Sequence, residues 1–306
     1  MHRVFQQTLS NPVFFEGVGL HSGKKSKIKI LPNNGENGIL FKRIDLFKNN
    51  VIVADYKNVS STTLSTTLMN KYGIKVSTVE HLLAAFYMSG IDSAIVEINN
   101  EEVPIMDGSA KEFIDVFKNQ KLKKLNKKIK YIKILETIEM NDGGRKIQIS
   151  PKDTFEVDFE LNFKNKVIGK QRNVVNFNNS NLKEVEESRT FCLYEDIQQI
   201  KKMGLAKGGS LDNAVVVDSD KIINENGLRN KNEFVNHKIL DLVGDFLLSN
   251  YRILGSVYCH QGGHQLSNLF LHKLLNEKNK YKISVMDSET LKIDDFNSSP
   301  KIVAFA

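Results

Sequence analysis

The sequence predicts an α+β protein of two similar halves, each of which contributes a helix to a shared cleft. Apolar residues recur with period two between turns, which indicates strands in both halves. Apolar segments of helical length also occur in both halves. A helix-then-strand order appears twice, from Glu80 to Ile98 and from Asn236 to Tyr258. The similarity is faint, but it would bring two helices together from opposite halves.

The first half is predicted to be a domain of residues 1–125. Residues 27–31 alternate as a strand and run into a turn at Pro32-Asn33-Asn34-Gly35. Three further elements are predicted: a helix at 77–89, a strand at 91–98 and a helix at 109–118. Residues 121–128 are charged and weakly periodic, which predicts a solvated junction between two domains.

The second half is predicted to be a domain of residues 126–306 in the same style. Three segments alternate as strands, at 130–135, 146–149 and 155–161. Two helices are expected, at 193–203 and 232–248.

Composition excludes some classes of protein. The chain has 306 residues, 41% of them hydrophobic, and no apolar run long enough to span a membrane. Two cysteines and a start without the apolar core of a signal peptide predict a reducing cytoplasm. The net charge of +7 permits nucleic-acid binding, but the chain lacks tryptophan and a basic–aromatic stripe. We therefore expect no nucleic-acid partner.

His237 and Asp241 form the most informative pair. They are four residues apart in a predicted helix, so both side chains lie on one face. Leu240, Leu242 and Val243 flank the carboxylate, which predicts burial, and a buried carboxylate requires a partner. A zinc ion would satisfy it. The alternative is an ordinary surface pair of side chains.

Glu80-His81 is the best candidate for completing such a site. His81 would be the third ligand, and Glu80 would take a proton from water activated by the metal. The alternative is local. Ser77-Thr78-Val79-Glu80 has the form of a capping box, and His81 could be a core histidine. The spacing leaves both interpretations open.

His264 follows two glycines and is predicted to lie on a flexible turn after a strand. A cationic imidazole there could stabilise an oxyanion and protonate a leaving amine. Asp245, one helical turn beyond Asp241, could orient it. An ordinary loop histidine is the alternative. The glycine-rich segment 204–212 either closes over a ligand or forms a simple turn.

Seven motifs in order, between about residues 3 and 275, resemble the UDP-3-O-acyl-N-acetylglucosamine deacetylases. They are residues 17–23 (GVGLHSG), 77–82 (STVEHL), 104–109 (PIMDGS), 188–191 (SRTF), 208–214 (GGSLDNA), 237–245 (HKILDLVGD) and Gly263-His264. These enzymes are zinc amidases that commit the cell to lipid A synthesis. The resemblance implies two similar two-layer α/β sandwich domains with the active site between their facing helices. It also implies zinc-dependent hydrolysis of the substrate's N-acetyl group, with another N-acetyl sugar as the alternative substrate.

The resemblance further implies site residues. One Zn²⁺ per chain would be bound by His81, His237 and Asp241, with Fe²⁺ as the alternative metal. Glu80 would be the general base, Thr190 an oxyanion donor, and His264, positioned by Asp245, a cation and acid. Substrate binding would fall to four residues: Lys238 at a phosphate, Phe191, His21 and Gly209. An insert at about residues 191–220 would hold the acyl chain.

Two departures and the expected partners complete the prediction. Ser65 stands where many members have a cysteine near the metal, and Gln261-Gly262-Gly263 lacks the lysine or serine that some members carry. We expect a cytoplasmic monomer with at most peripheral contact with the inner membrane. A zinc peptidase is a weaker alternative, because His-Glu-x-x-His is absent.

Overall fold

The computed structural model describes residues 3–178 and 181–286. The ends of the two predicted domains, residues 1–2 and 287–306, lie outside the described residues. In chain order, the first half contains strands β1 (Phe5–Leu9), β2 (Val13–Val18), β3 (Lys25–Pro32), β4 (Ile39–Arg43), β5 (Val51–Val53), β6 (Val59–Ser61), β7 (Thr67–Met69) and β8 (Lys75–Val76), helix α1 (Glu80–Ser89), strand β9 (Ala94–Ile98) and helix α2 (Lys111–Lys118).

The second half follows in the same manner. It contains β10 (Leu122–Lys128), β11 (Tyr131–Ile134), β12 (Ile138–Asp142), β13 (Arg145–Ser150), β14 (Phe155–Asn162), β15 (Lys170–Asn176), α3 (Lys183–Glu186), β16 (Phe191–Leu193), α4 (Tyr194–Lys202), β17 (Val215–Asp218), β18 (Lys221–Ile222), α5 (Glu233–Leu247), β19 (Arg252–His260), α6 (His264–Asn276) and β20 (Tyr281–Ser284).

Each half has a mixed sheet with a central strand that follows a buried helix. In the first half the order is β2-β3-β9-β4-β5, and β9 pairs antiparallel with β3 and parallel with β4. In the second half β19 is central. It pairs with β13 on one side, and with β11 and then β14 in succession on the other side. Alternating side chains of β3, such as Ile28 and Ile30, face the core, as period two requires.

The internal repeat is visible as helix–strand–helix in both halves, α1-β9-α2 and α5-β19-α6. The two helices of each half meet through one stacked phenylalanine pair. Phe86 and Phe117 have ring centroids 5.4 Å apart, and Phe246 and Phe270 have centroids 6.1 Å apart. The predicted α+β class with two similar halves is therefore confirmed.

Three local predictions differ from the structure. The junction at 121–128 contains strand β10, which pairs with β1, although most of its side chains are exposed as expected. Helix α6 was not predicted. Helix α1 begins at Glu80 instead of Ser77, because Thr78 has a left-handed backbone (φ 56°) that a helix cannot include.

A half-buried charge cluster joins the halves behind the helices. Asp92, in the turn after α1, accepts hydrogen bonds from Arg3 at 2.9 Å and from Arg252, the first residue of β19, at 2.9 Å. Arg252 also donates to the Tyr87 carbonyl and lies over the Tyr87 ring. One carboxylate thus links the N-terminal segment to both halves.

Within residues 3–178 and 181–286, no helix has the length and apolar character needed to cross a membrane.

Candidate active site

A glycine lets the two central helices approach closely. Gly244 of α5 faces the first turn of α1, and a Cβ atom added there would lie 2.1 Å from the Glu80 carbonyl oxygen. Only glycine, which has no Cβ atom, allows the two helices to approach this closely. The contact brings the first turn of α1 beside the face of α5 that carries His237, Asp241 and Asp245.

His81, His237 and Asp241 meet where the helices cross. One ligand-type atom from each residue lies within 4.8 Å of the others, and all three side chains are buried. Asp241 Oδ1 is 3.5 Å from His81 Nε2 and 3.4 Å from His237 Nε2. The structure therefore brings together the three residues predicted as metal ligands.

The chemistry of this group fits a metal ion. Asp241 Oδ1 is buried without a hydrogen-bond partner, and an unpaired buried oxygen is costly. His237 Nδ1 lies 3.1 Å from the Ser188 carbonyl, which can only accept, so Nδ1 carries the proton and Nε2 keeps its lone pair. Burial lowers the pKa of His237 to about 3, which keeps the ring neutral. Zinc binds neutral imidazole and ionised carboxylate in this way.

Asp241 remains ionised despite its surroundings. Burial acts to raise the pKa of Asp241, but the Lys238 ammonium beside it holds that pKa well below its usual range. Lys238 Nζ donates to Asp241 Oδ2 at 2.7 Å, which leaves Oδ1 turned towards the histidines. The sequence assigned Lys238 to a substrate phosphate, whereas in the structure its ammonium is also bound to a predicted ligand.

Glu80 lies beside the three residues. Its Oε2 accepts a hydrogen bond from the Thr66 amide at 3.0 Å, and its Oε1 is 3.6 Å from His264 Nε2. Burial raises the pKa of Glu80, and His264 and His81 oppose the rise. The capping-box alternative is wrong, because the Ser77 amide donates to the Glu101 carbonyl and α1 has no side-chain cap.

His264 is held by Asp245. The His264 Nδ1 atom is 2.9 Å from Asp245 Oδ2, and Asp245 Oδ1 accepts from the Thr66 hydroxyl at 2.6 Å. Burial acts to lower the pKa of His264, but the carboxylates of Asp245 and Glu80 raise it to about 9. His264 was predicted on a flexible turn. It is the buried first residue of α6, after the extended Gly263.

These side chains line one cavity of about 330 Å³, hereafter the polar cavity. The predicted residues around it are Glu80, His81, Thr190, Phe191, His237, Lys238, Asp241 and His264. Asp245 lies behind His264 and not on the wall.

A second cavity, of about 360 Å³, adjoins the first, and we call it the apolar cavity. Its walls include Leu20, Ile197, Ile200, Leu211, Val216 and Ile223. The two cavities share Leu20, Leu64, Thr190 and Phe191. The predicted insert supplies β16, α4 and β17 to the apolar cavity. His21 and Gly209 line the apolar cavity and are not on the wall of the polar cavity.

Some site residues carried no sequence signal. Arg145, the first residue of β13, lines the polar cavity and donates to the Gln265 side chain of α6 at 3.0 Å. Thr66 binds both Glu80 and Asp245, but it stands in a run of serines and threonines without a motif. Ser65, where many family members have cysteine, is buried beside it.

Comparison with known proteins gives one consistent result. The model of the family "UDP-3-O-acyl N-acetylglycosamine deacetylase" (LpxC) matches residues 6–276. Three curated relatives bear the name UDP-3-O-acyl-N-acetylglucosamine deacetylase. The protein of Pseudomonas entomophila is 42% identical over 91% of this chain and 92% of its own length. That of Geotalea uraniireducens is 41% identical over 91% of each chain, and that of Saccharophagus degradans 40% identical over 93% and 94%.

Proposed function

The chain belongs to the family of UDP-3-O-acyl N-acetylglycosamine deacetylases, and on that basis we propose that it hydrolyses the N-acetyl group of UDP-3-O-acyl-N-acetylglucosamine. The products are acetate and the free sugar amine, which is the committed step of lipid A biosynthesis. The observation that carries this proposal is the pair of adjoining cavities. The polar cavity holds a hydrolytic constellation, and the apolar cavity begins at its wall.

His81, His237 and Asp241 would hold the metal, which we propose is one Zn²⁺ per chain, with Fe²⁺ as the alternative. When bound, the metal supplies Lewis acidity, which lowers the pKa of water and polarises a carbonyl. Lys238 would fix the remaining oxygen of Asp241, as residues behind a ligand commonly do.

Glu80 would act as the general base. Its carboxylate lies beside the three ligand candidates, where it can take a proton from the attacking water. A buried carboxylate tends to become neutral, and the neighbouring His264 cation counteracts this tendency. Transfer of the proton to a positioned base typically contributes about 10²–10⁴ in rate.

His264 and Thr190 would stabilise the developing oxyanion. The imidazolium of His264, fixed by Asp245, would stabilise the developing oxyanion and give a proton to the departing sugar amine. The Thr190 hydroxyl, at the boundary between the cavities, would be a second donor to the oxyanion. Each preorganised donor is typically worth about 3–4 kcal/mol.

Substrate recognition would be divided between the two cavities. Phe191, Gly209 and His21 would contact the acyl chain or its attachment. Lys238 and Arg145, the lysine and the arginine on the wall of the polar cavity, would meet the diphosphate. Arginine suits phosphate because its planar fork donates two hydrogen bonds.

The experiment that tests the proposal compares acetate release from acylated and from bare UDP-N-acetylglucosamine. Each buried methylene contributes about 0.8 kcal/mol, so the acylated substrate should have a much higher kcat/KM. Equal turnover of the two would contradict the role of the apolar cavity. Turnover of an unrelated N-acetyl sugar alone would favour the alternative substrate.

We also propose a monomer with at most peripheral contact with the inner membrane and no nucleic-acid partner. The domain boundary near residues 125 and 126 remains a proposal, and it falls within β10. Sedimentation with and without anionic vesicles tests the oligomeric state and the membrane contact together.

A further inference from the structure

A buried carboxylate outside the polar cavity connects two segments that the proposed reaction uses. The side chain of Glu102, which is 1% exposed, accepts three hydrogen bonds. Its Oε1 accepts from the His21 amide at 2.8 Å and the Thr78 hydroxyl at 2.9 Å, and its Oε2 accepts from the Ser22 amide at 2.7 Å.

The first segment is the lip loop, which we define as residues 19–23. Leu20, at its tip, lines both the polar and the apolar cavity. The loop is also bound to the insert, because the Gly208 amide donates to the Leu20 carbonyl at 3.0 Å. The position of Leu20 between the cavities therefore depends on how the lip loop is held.

The second segment leads into α1. Thr78 has a left-handed backbone, with φ of 56°, which is unfavourable for a β-branched residue. Its hydroxyl is held by Glu102, and Glu80 and His81 follow two and three residues later. The same carboxylate thus fixes the approach to the proposed base and ligand, and the lip of the apolar cavity.

Close packing around Gly19 leaves no space for a side chain beside the Glu102 carboxylate. A Cβ atom added to Gly19 would lie 2.3 Å from Glu102 Oε2 and 2.4 Å from the Ser22 hydroxyl. Any side chain at position 19 would therefore displace the carboxylate from the amides of the lip loop. Glycine is required here by space, since its neighbours leave no room.

We propose that Glu102 is a positioning residue that sets Leu20 between the two cavities and thereby determines selectivity for the acyl chain. The inference rests on the proposed function, because it assumes that the apolar cavity receives the chain. Glu102 contacts none of the groups that are proposed to react. Its effect is transmitted through the backbone of the lip loop.

The test uses the zinc-loaded full chain and two substrates, UDP-N-acetylglucosamine carrying a long or a short 3-O-acyl group. Glu102→Gln is isosteric but presents an amide group to one of the three donors. We expect the ratio of kcat/KM for the long over the short substrate to fall about tenfold, mainly through KM for the long one. Glu101→Gln is the matched control, because its side chain is 51% exposed and faces Lys24. It should leave the ratio unchanged.

Gly19→Ala perturbs the same contact from the side of the lip loop. It should lower the same ratio of kcat/KM for the long over the short substrate. An equal loss for both substrates, or no loss, in Glu102→Gln and Gly19→Ala would overturn the inference. Failure of the wild-type chain to distinguish the two substrates would instead count against the proposed role of the apolar cavity.

Discussion

At the scale of single residues, the site pairs each buried acid with a particular base or cation. Asp241 faces two histidines and Lys238, and Asp245 and Glu80 face the two nitrogens of His264. Burial favours the neutral form of an acid, and at Asp241 the Lys238 ammonium counteracts this and keeps the pKa low. We therefore expect separate effects for ligands and for groups that transfer protons.

Glu80→Gln should retain the metal and lose turnover, because it removes a base and none of the three ligand candidates. We expect kcat to fall about 10²–10⁴-fold. Elemental analysis and steady-state kinetics on the same preparation check this. A variant that loses its metal would instead make Glu80 part of the metal site.

Asp245→Asn should shift the alkaline limb of the pH profile of kcat/KM to lower pH. The Asp245 carboxylate contributes to raising the pKa of His264 to about 9, so the cation is present below that pH and lost above it. Without the carboxylate, His264 should lose its proton at a lower pH. An alkaline limb in the same place as that of the wild type would show that His264 does not control it.

At the scale of elements, the sequence predicted the helices that carry the site but not the contacts that surround them. Helix α5 was predicted at 232–248 and spans Glu233–Leu247, and the prediction succeeded because apolar residues recur along its whole length. The capping box failed because Glu80 has a tertiary partner, the Thr66 amide, which local spacing cannot reveal. Helix α6 was missed because the two glycines before His264 indicated a loop. Arg145 was missed because tertiary contacts, among them its hydrogen bond to Gln265 of α6, bring it to the cavity.

Gly244→Ala tests the helix crossing. The new Cβ atom would lie 2.1 Å from the Glu80 carbonyl, so α1 must move away from α5. Overpacking of this kind typically costs about 1–3 kcal/mol, and the separation should also weaken metal binding. Chemical denaturation and competition with a chelator measure the two effects. Wild-type values for both would contradict the crossing as described.

At the scale of the whole molecule, two similar halves face each other and place one proposed ligand on α1 and two on α5. The site thus depends on how the halves are held together. The repeated helix–strand–helix unit was foreseeable from the faint echo in the sequence. The charge cluster that joins the halves was not, because Arg3, Asp92 and Arg252 are far apart along the chain and share no motif.

Asp92→Asn should destabilise the fold by about 1–3 kcal/mol, because it leaves the mostly enclosed Arg252 cation without its charged partner. Burial acts to raise the pKa of Asp92, but Arg252 and Arg3 hold that pKa below its usual value. Its contribution is therefore present above the unfolded pKa and is lost as the pH falls through the folded one. Urea denaturation checks both statements. Asp115→Asn, which breaks an exposed pair with Lys111, is the control and should cost about 0–1 kcal/mol.

The central claim is that the crossing of α1 and α5 forms the metal centre of a deacetylase. The most direct measurement is acetate release from UDP-3-O-acyl-N-acetylglucosamine before chelation, after chelation and after Zn²⁺ is restored, in the wild type and in Asp241→Ala. We expect wild-type activity to be lost on chelation and recovered with Zn²⁺. The Asp241→Ala variant should neither retain zinc nor recover activity. Full zinc content in Asp241→Ala, or wild-type activity that resists chelation, would contradict it.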